Sequence, residues 1–159
     1  ALLTIANNDS DEGTFTINVS GTGQTQYDAW SGGAAFNADA NGDGVKNGLA
    51  FLLGASGPNV SALNKLPLVT QSGGNLVLTF TMLNAASRGS AALNVEHSSN
   101  LGISDPWTAV AVPDASGGPT SGATFVVTGT SPLSVTATIS SSEAAAGKLF
   151  GRLKAVQTP

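Results

Sequence analysis

Apolar side chains recur at every second position through most of this chain, and that period commits it to β-structure. Phe15, Ile17 and Val19 alternate with Thr and Asn. Leu76, Leu78, Phe80 and Met82 alternate with Val77, Thr79 and Thr81, and Leu133, Val135, Ala137 and Ile139 alternate with Ser and Thr. Successive side chains of a strand point to opposite faces, so each run reads as a half-buried strand. Leu93 to His97, Trp107 to Val112, Thr124 to Thr128 and Leu149 to Val156 add further strands. The turn signals Ser72-Gly73-Gly74, Ser116-Gly117-Gly118-Pro119 and Ser131-Pro132 separate them. Many short strands with turns between them predict a sandwich. Only one helix reads clearly, Asn47 to about Leu53, stopped by Gly54, and Leu49, Phe51, Leu52 and Leu53 would dock it against the sheet.

Just before that helix, Asp39-Ala40-Asn41-Gly42-Asp43-Gly44-Val45-Lys46-Asn47 places oxygen side chains at every second position around a glycine. Calcium takes six to eight oxygens, and a loop supplies them from positions 1, 3, 5, 7 and 9, the seventh through its backbone carbonyl. Asp39, Asn41 and Asp43 fall at the first three of these, Gly44 at the sharp turn of position 6, and Val45 and Asn47 at 7 and 9. Position 12 departs from the template: Ala50 stands where an EF-hand has a bidentate glutamate. The missing oxygens weaken the site or pass to water, another loop or a neighbouring chain. An Asx/Gly turn capping the helix would account for two or three of these residues, but not for the full alternation.

The chain before Gln24 stands apart. Leu2 to Ala6 and Thr14 to Val19 flank the polar stretch Asn7 to Gly13 and read as a hairpin, with Gly21 to Thr25 as a linker. A hairpin of two strands is marginal alone, so it must add to this chain's own sandwich or to a sheet edge on another molecule. Asp9, Asp11 and Glu12 lie in its turn and read as a solvated tip rather than as a second metal site.

Charge narrows the partners. Only 10% of residues are charged and the net charge is −4, which argues against nucleic acid and anionic membranes, both of which reward clustered Lys and Arg. Lys148, Arg152 and Lys154 gather near the C-terminus at alternating positions and read as a solvated face. No apolar run approaches the length of a membrane span. Cysteine is absent, which removes disulfides, thiolate zinc sites and cysteine nucleophiles together. A Ser/Thr/Gly-rich, charge-poor composition suits an extracellular or bacterial cell-surface protein, where calcium is abundant. The first residue is Ala1, consistent with a processed product whose targeting signal has been removed.

Catalytic constellations are thin. His97 is the only histidine, and Glu96 beside it points to the opposite face of the expected strand. Ser98 and Ser99 follow without a nucleophile-elbow pattern, so His97 reads as a strand-end residue. Tyr27, Trp30 and Trp107 are the only large aromatics able to form a sugar-binding platform. Trp107 reads as core, and Tyr27 and Trp30 as packed beneath the oxygen-rich loop.

Tyr27-Asp-Ala-Trp30, Phe36 through Gly54 with its Asp-x-Asn-x-Asp-Gly-Val-x-Asn-Gly-x-x-x-x-Leu-Gly pattern, Gly74 to Phe80, Val95 to Leu101, Trp107 and Lys148 to Lys154 together carry a resemblance. Residues 26 to 156 resemble the C-terminal module of large secreted proteins from Verrucomicrobia and Planctomycetes. In that family a dockerin-like or thrombospondin-type-3-like calcium loop leads into a β-sandwich. Residues 1 to 23 are similar to the last hairpin of the immunoglobulin-like repeats that often precede it. The resemblance implies no enzymatic activity, and Ala50 replaces the acidic residue many relatives carry. The expectation is therefore an all-β chain: an immunoglobulin-like antiparallel β-sandwich, with one short helix after a dockerin-like calcium loop and an N-terminal β-hairpin. Three segments follow: the hairpin over 1–23 as donor strands, a linker, loop and helix over 24–64, and the sandwich over 65–159. The expected role is a non-enzymatic, calcium-stabilised subunit of a surface filament or lattice. It would be a homo-oligomer or polymer joined through its hairpin. The alternative is an adhesin or carbohydrate-binding module with a glycan as partner.

Overall fold

The computed structural model describes residues 2–8, 10, 11, 13–21 and 23–157. Among them the chain is mostly β, in three antiparallel sheets. Strands β1 (Leu2–Ala6) and β2 (Thr14–Asn18) form a separate hairpin. Helices α1 (Gln26–Ser31) and α2 (Asn47–Leu52) bracket the oxygen-rich loop. A five-stranded sheet contains β3 (Leu68–Ser72), β4 (Asn75–Met82), β7 (Gly117–Thr120), β8 (Ala123–Thr128) and β9 (Leu133–Ile139) in the order β3-β4-β9-β8-β7. A three-stranded sheet has the order β10-β5-β6, with β5 Ala91–Ser98, β6 Thr108–Ala111 and β10 Phe150–Gln157. Helix α3 (Ala85–Arg88) turns the chain between β4 and β5.

The two larger sheets share one core. Leu78, Phe80 and Met82 of β4, Phe125 of β8 and Val135, Ala137 and Ile139 of β9 meet Leu93 and Val95 of β5 and Val110 of β6. These are the alternating positions of each run, so the period of two is satisfied by burial of one face. At Gly151 the sheets approach so closely that a Cβ would stand 2.9 Å from Leu76 Cδ2 and 3.3 Å from Ile139 Cδ1. Strand β10 therefore lies over β4 and β9.

The helices close one end of this core. Phe51, Leu52 and Leu53 are buried in it, and the Leu52 carbonyl accepts the Leu83 amide just past β4, at 2.9 Å. Thr25 and Asp28 form a reciprocal capping box at the start of α1, satisfying donors that a helix start leaves unpaired. Tyr27, Trp30, Phe36 and Phe51 form an aromatic cluster with ring centroids 4.9 to 5.7 Å apart.

Several expectations need correction. Helices α1 and α3 and strand β3 were not expected, because each is short and carries no clean periodicity. Gly117 to Thr120 is not a plain turn but the edge strand β7, irregularly paired with β8. His97 is the penultimate residue of β5, at the strand end as expected, and is buried there. Trp107 is half-buried and outside the core, because its ring lies under the Arg152 guanidinium, 4.0 Å from the ring centre. Arg152 and Lys154 do not form a simple solvated face. They converge on the buried Glu96 carboxylate from the neighbouring strand, at 2.6 and 3.1 Å.

Candidate functional site

The loop from Asp39 to Asn47 is held by its own side-chain oxygens. Asp39 accepts the Gly42 amide on Oδ1 at 2.9 Å and the Gly44 amide on Oδ2 at 2.8 Å. Asn41 Oδ1 accepts the Asp43 amide at 2.9 Å, and Asp43 Oδ1 accepts the Val45 amide at 2.8 Å. These are successive Asx turns, which need short oxygen-bearing side chains at alternate positions. Gly44 has φ +87°, a region that costs any residue with a Cβ. The alternation read from the sequence thus corresponds to a wound loop.

A second segment seals the loop from outside. The Ala62 amide donates to Asp43 Oδ2 at 2.7 Å, and Asn41 Nδ2 donates to the Val60 carbonyl at 2.9 Å. The Val45 amide first, then Ala62, Ser61 and Asn41, hold the Asp43 carboxyl below its ordinary value, outweighing partial burial that pushes it up. Nothing in the sequence pattern ties residues 60–62 to the loop, because their contribution is mainly backbone.

Position 12 is closed to a ligand. The Ala50 methyl is buried with Val45, Ala55 and Ala62 in a small apolar cluster. Position 9 is committed to structure: Asn47 is only 2% exposed, its Nδ2 donates to the Ala35 carbonyl at 2.9 Å and its Oδ1 accepts the Ala40 amide at 3.2 Å. The first amides of α2 are taken by the segment just before the loop, Asn47 by the Ala38 carbonyl and Gly48 by the Phe36 carbonyl, both at 2.8 Å. The remaining oxygens are of the hard kind that calcium takes, and the loop turns at two glycines, Gly42 and Gly44, although no group of three or more His, Cys, Asp or Glu among the described residues is placed to hold a metal. Asp39, Asn41 and Asp43 would supply side-chain oxygens and Val45 its carbonyl, which accepts no hydrogen bond among the described residues. Asn47 would orient the loop.

The hairpin has one apolar face. The pairs Leu3↔Ile17 and Ile5↔Phe15 put these four side chains on one side, and Thr4↔Thr16 and Ala6↔Thr14 lie on the other. All four apolar residues are exposed, between 40% and 58%. Asp11 is exposed in the tip; Asp9 and Glu12 lie outside the described residues.

The other residues weighed for chemistry are occupied. His97 and Glu96 do face opposite sides of β5. The His97 Nε2–H donates to the Ser121 carbonyl at 2.9 Å, whereas Glu96 accepts Arg152 Nε at 2.7 Å. Ser99 Oγ donates to Asp105 at 2.8 Å rather than to a base, and Ser98 Oγ donates to the Asp105 carbonyl at 2.8 Å. The Ser99 amide and hydroxyl, with the nearby His97, hold the Asp105 carboxyl below its usual range. Tyr27 is buried, its hydroxyl donates to the Ala34 carbonyl at 2.8 Å, and burial pushes its pKa up. Trp30 Nε1 donates to the Ala55 carbonyl at 2.7 Å. Trp30 packs against the cluster of Val45, Ala50, Ala55 and Ala62 while Tyr27 lies in the main core, and neither is laid open as a sugar platform. No helix among the described residues is long and apolar enough to cross a membrane. Compared with known proteins, the chain matches no family model, no curated protein and no solved structure.

Proposed function

We propose that this chain is a non-enzymatic structural subunit of an extracellular bacterial filament or lattice, stapled by calcium and joined by β-strand donation. The observation that carries the reading is the hairpin. Two five-residue strands have a continuous apolar face and leave every described residue of both strands exposed. Such a hairpin cannot repay its ordering entropy alone and needs a sheet to complete it. Main-chain pairing to another chain's edge would supply that, and a contact of donor to acceptor propagates head to tail without closing. The immunoglobulin-like reading of the sandwich agrees with the order β3-β4-β9-β8 facing β10-β5-β6.

Calcium serves this subunit as a structural ion. The oxygens of Asp39, Asn41, Asp43 and Val45 sit between the linker to the hairpin and the body. An ion there would stiffen the segment that transmits load between subunits. The test is electron microscopy of purified protein in calcium and in excess chelator, beside a chain lacking residues 1–22. The reading expects fibres or sheets that loosen on chelation and vanish in the truncated chain. Identical assemblies from the truncated chain sink strand donation; unchanged melting in chelator sinks the ion.

A further inference from the structure

The sandwich has an unfilled strand position. In the three-stranded sheet β10 pairs with β5 on one edge, and among the described residues no strand pairs with its other edge. The strand that would continue this sheet beyond β10 would lie over β3, because β10 itself lies over β4 and β9. Strand β3 carries the mark of that vacancy. Val69 pairs directly with Leu78, so both side chains point to the inner face, yet Leu78 is 1% exposed and Val69 is 55% exposed.

The same contrast runs along the facing sheet. Leu93 and Val95 of β5 are sealed, whereas Ala155 and Leu153, their partners on β10, are only partly buried. Two clefts open on this flank. One of about 390 Å³ lies between the oxygen-rich loop and Arg152 to Ala155; one of about 150 Å³ lies among Gln71, Leu76 and Leu149.

We infer that this flank is the acceptor, and that its occupant is the β1–β2 hairpin of a second copy of this chain. The inference rests on the strand-donation reading and gives it an address. A hairpin strand continuing the sheet from β10 turns the face of Leu3, Ile5, Phe15 and Ile17 onto Val69 and the partly buried Leu76 and Leu153. Its five-residue strands span ~17 Å, within the ~26 Å of the eight-residue β10. Charge agrees with this docking. The tip contributes Asp9, Asp11 and Glu12 by sequence, and the larger cleft is lined by Lys46, Arg152 and Lys154 in a chain with only six basic residues.

Four full-length variants test the inference by sedimentation velocity and negative-stain microscopy. Phe15→Lys spoils the donor face and Val69→Lys the acceptor face. Thr16→Lys and Leu68→Lys place the same charge on the opposite face of each strand. The expected result is that the first pair raises the concentration needed for assembly about tenfold or more, a loss of at least one decade in affinity, while the second pair assembles like the wild type. Mixing Phe15→Lys with Val69→Lys then yields a one-to-one dimer and nothing longer, since one retains only its acceptor and the other only its donor. That dimer also proves that both variants are folded. If Phe15→Lys blocks assembly and Val69→Lys does not, the hairpin is a donor but the acceptor lies elsewhere, and this inference falls alone. Equal loss in Leu68→Lys puts the contact on the outer face of β3 and overturns it as well. Unaltered assembly of Phe15→Lys overturns strand donation itself. A wild-type monomer whose hairpin resists protease, with protection lost in Val69→Lys, shows the hairpin docked in its own chain and rejects the second copy as occupant.

Discussion

Asp43 Oδ2 and the Ala62 amide meet at 2.7 Å across nineteen residues of sequence, and this bond fastens the oxygen-rich loop to the segment that leads into the first strand of the sandwich. The same carboxylate holds the Val45 amide on its other oxygen. It therefore shapes the loop and anchors it at once.

Acid should release that anchor. The folded pKa of Asp43 is depressed below its ordinary 3.8, so the ionised form adds stability that is fully present above that value and fades as pH falls through the depressed one. Asp105 has the same sign, set by Ser99. Melting curves in a calcium-free buffer should hold level from neutral pH to about 5 and drop below 4. Asp43→Asn should melt lower at neutral pH and show a shallower acid slope. An identical slope in wild type and variant would count against this role.

Gly48 is required by a neighbour rather than by its own backbone. A Cβ there would overlap the buried Phe36 ring. Gly48→Ala gains about 1 kcal/mol of helix propensity at most and pays about 1–3 kcal/mol for overpacking, so a net destabilisation is expected. Chemical denaturation should show it, and Phe36→Leu in the same chain should recover part of the loss by making room.

The Glu96 carboxylate is 2% exposed and holds two cations, one of them stacked on Trp107. Arg152 and Lys154 are about half exposed and can turn to water once released. Glu96→Ala should therefore cost about 1–3 kcal/mol, less than removing one member of a fully buried pair. Glu96→Gln, which keeps an acceptor for Arg152, should lose less, and urea denaturation of the two variants side by side checks the order. Trp107 fluorescence should shift in Glu96→Ala, where the guanidinium is released from its face, and less in Glu96→Gln.

Trp30 ties α1 to the turn after α2 through its indole. Trp30→Phe keeps most of the ring packing but leaves the Ala55 carbonyl without that donor, a cost of about 1–2 kcal/mol. Equal stability of variant and wild type in denaturant would show that water replaces the bond.

The strands with clean alternation were legible because their burial repeats with the period of the strand, as in β4 and β9. The oxygen-rich loop was legible for a similar reason: each Asx turn needs its own short side chain. What escaped depends on partners remote in sequence. Strand β3 has no inward burial of its own, since Val69 faces the vacant flank, so no buried stripe marks it. Helix α1 spans only six residues, and what holds it is the capping box of Thr25 and Asp28 together with an aromatic cluster drawn from three separate segments. Trp107 looked like core because large rings usually are; the cation it carries comes from β10, forty-five positions later. Asn47 looked like one more oxygen donor, and only its buried contacts to Ala35 and Ala40 reveal that it ties the loop closed.

Ala50 gives the loop a mechanical character. Its methyl shares a small apolar cluster with Val45 of the loop and Ala62 of the sealing segment, and Ala62 is also the residue whose amide binds Asp43. The loop therefore has no slack: it cannot widen without separating packed methyl groups and breaking the same strap. Hydrogen exchange at the Gly44, Val45 and Ala62 amides should then proceed through one shared opening. Such a loop behaves as one rigid unit with the strap at residues 60–62, tied at once to α2 and to the segment that leads into β3.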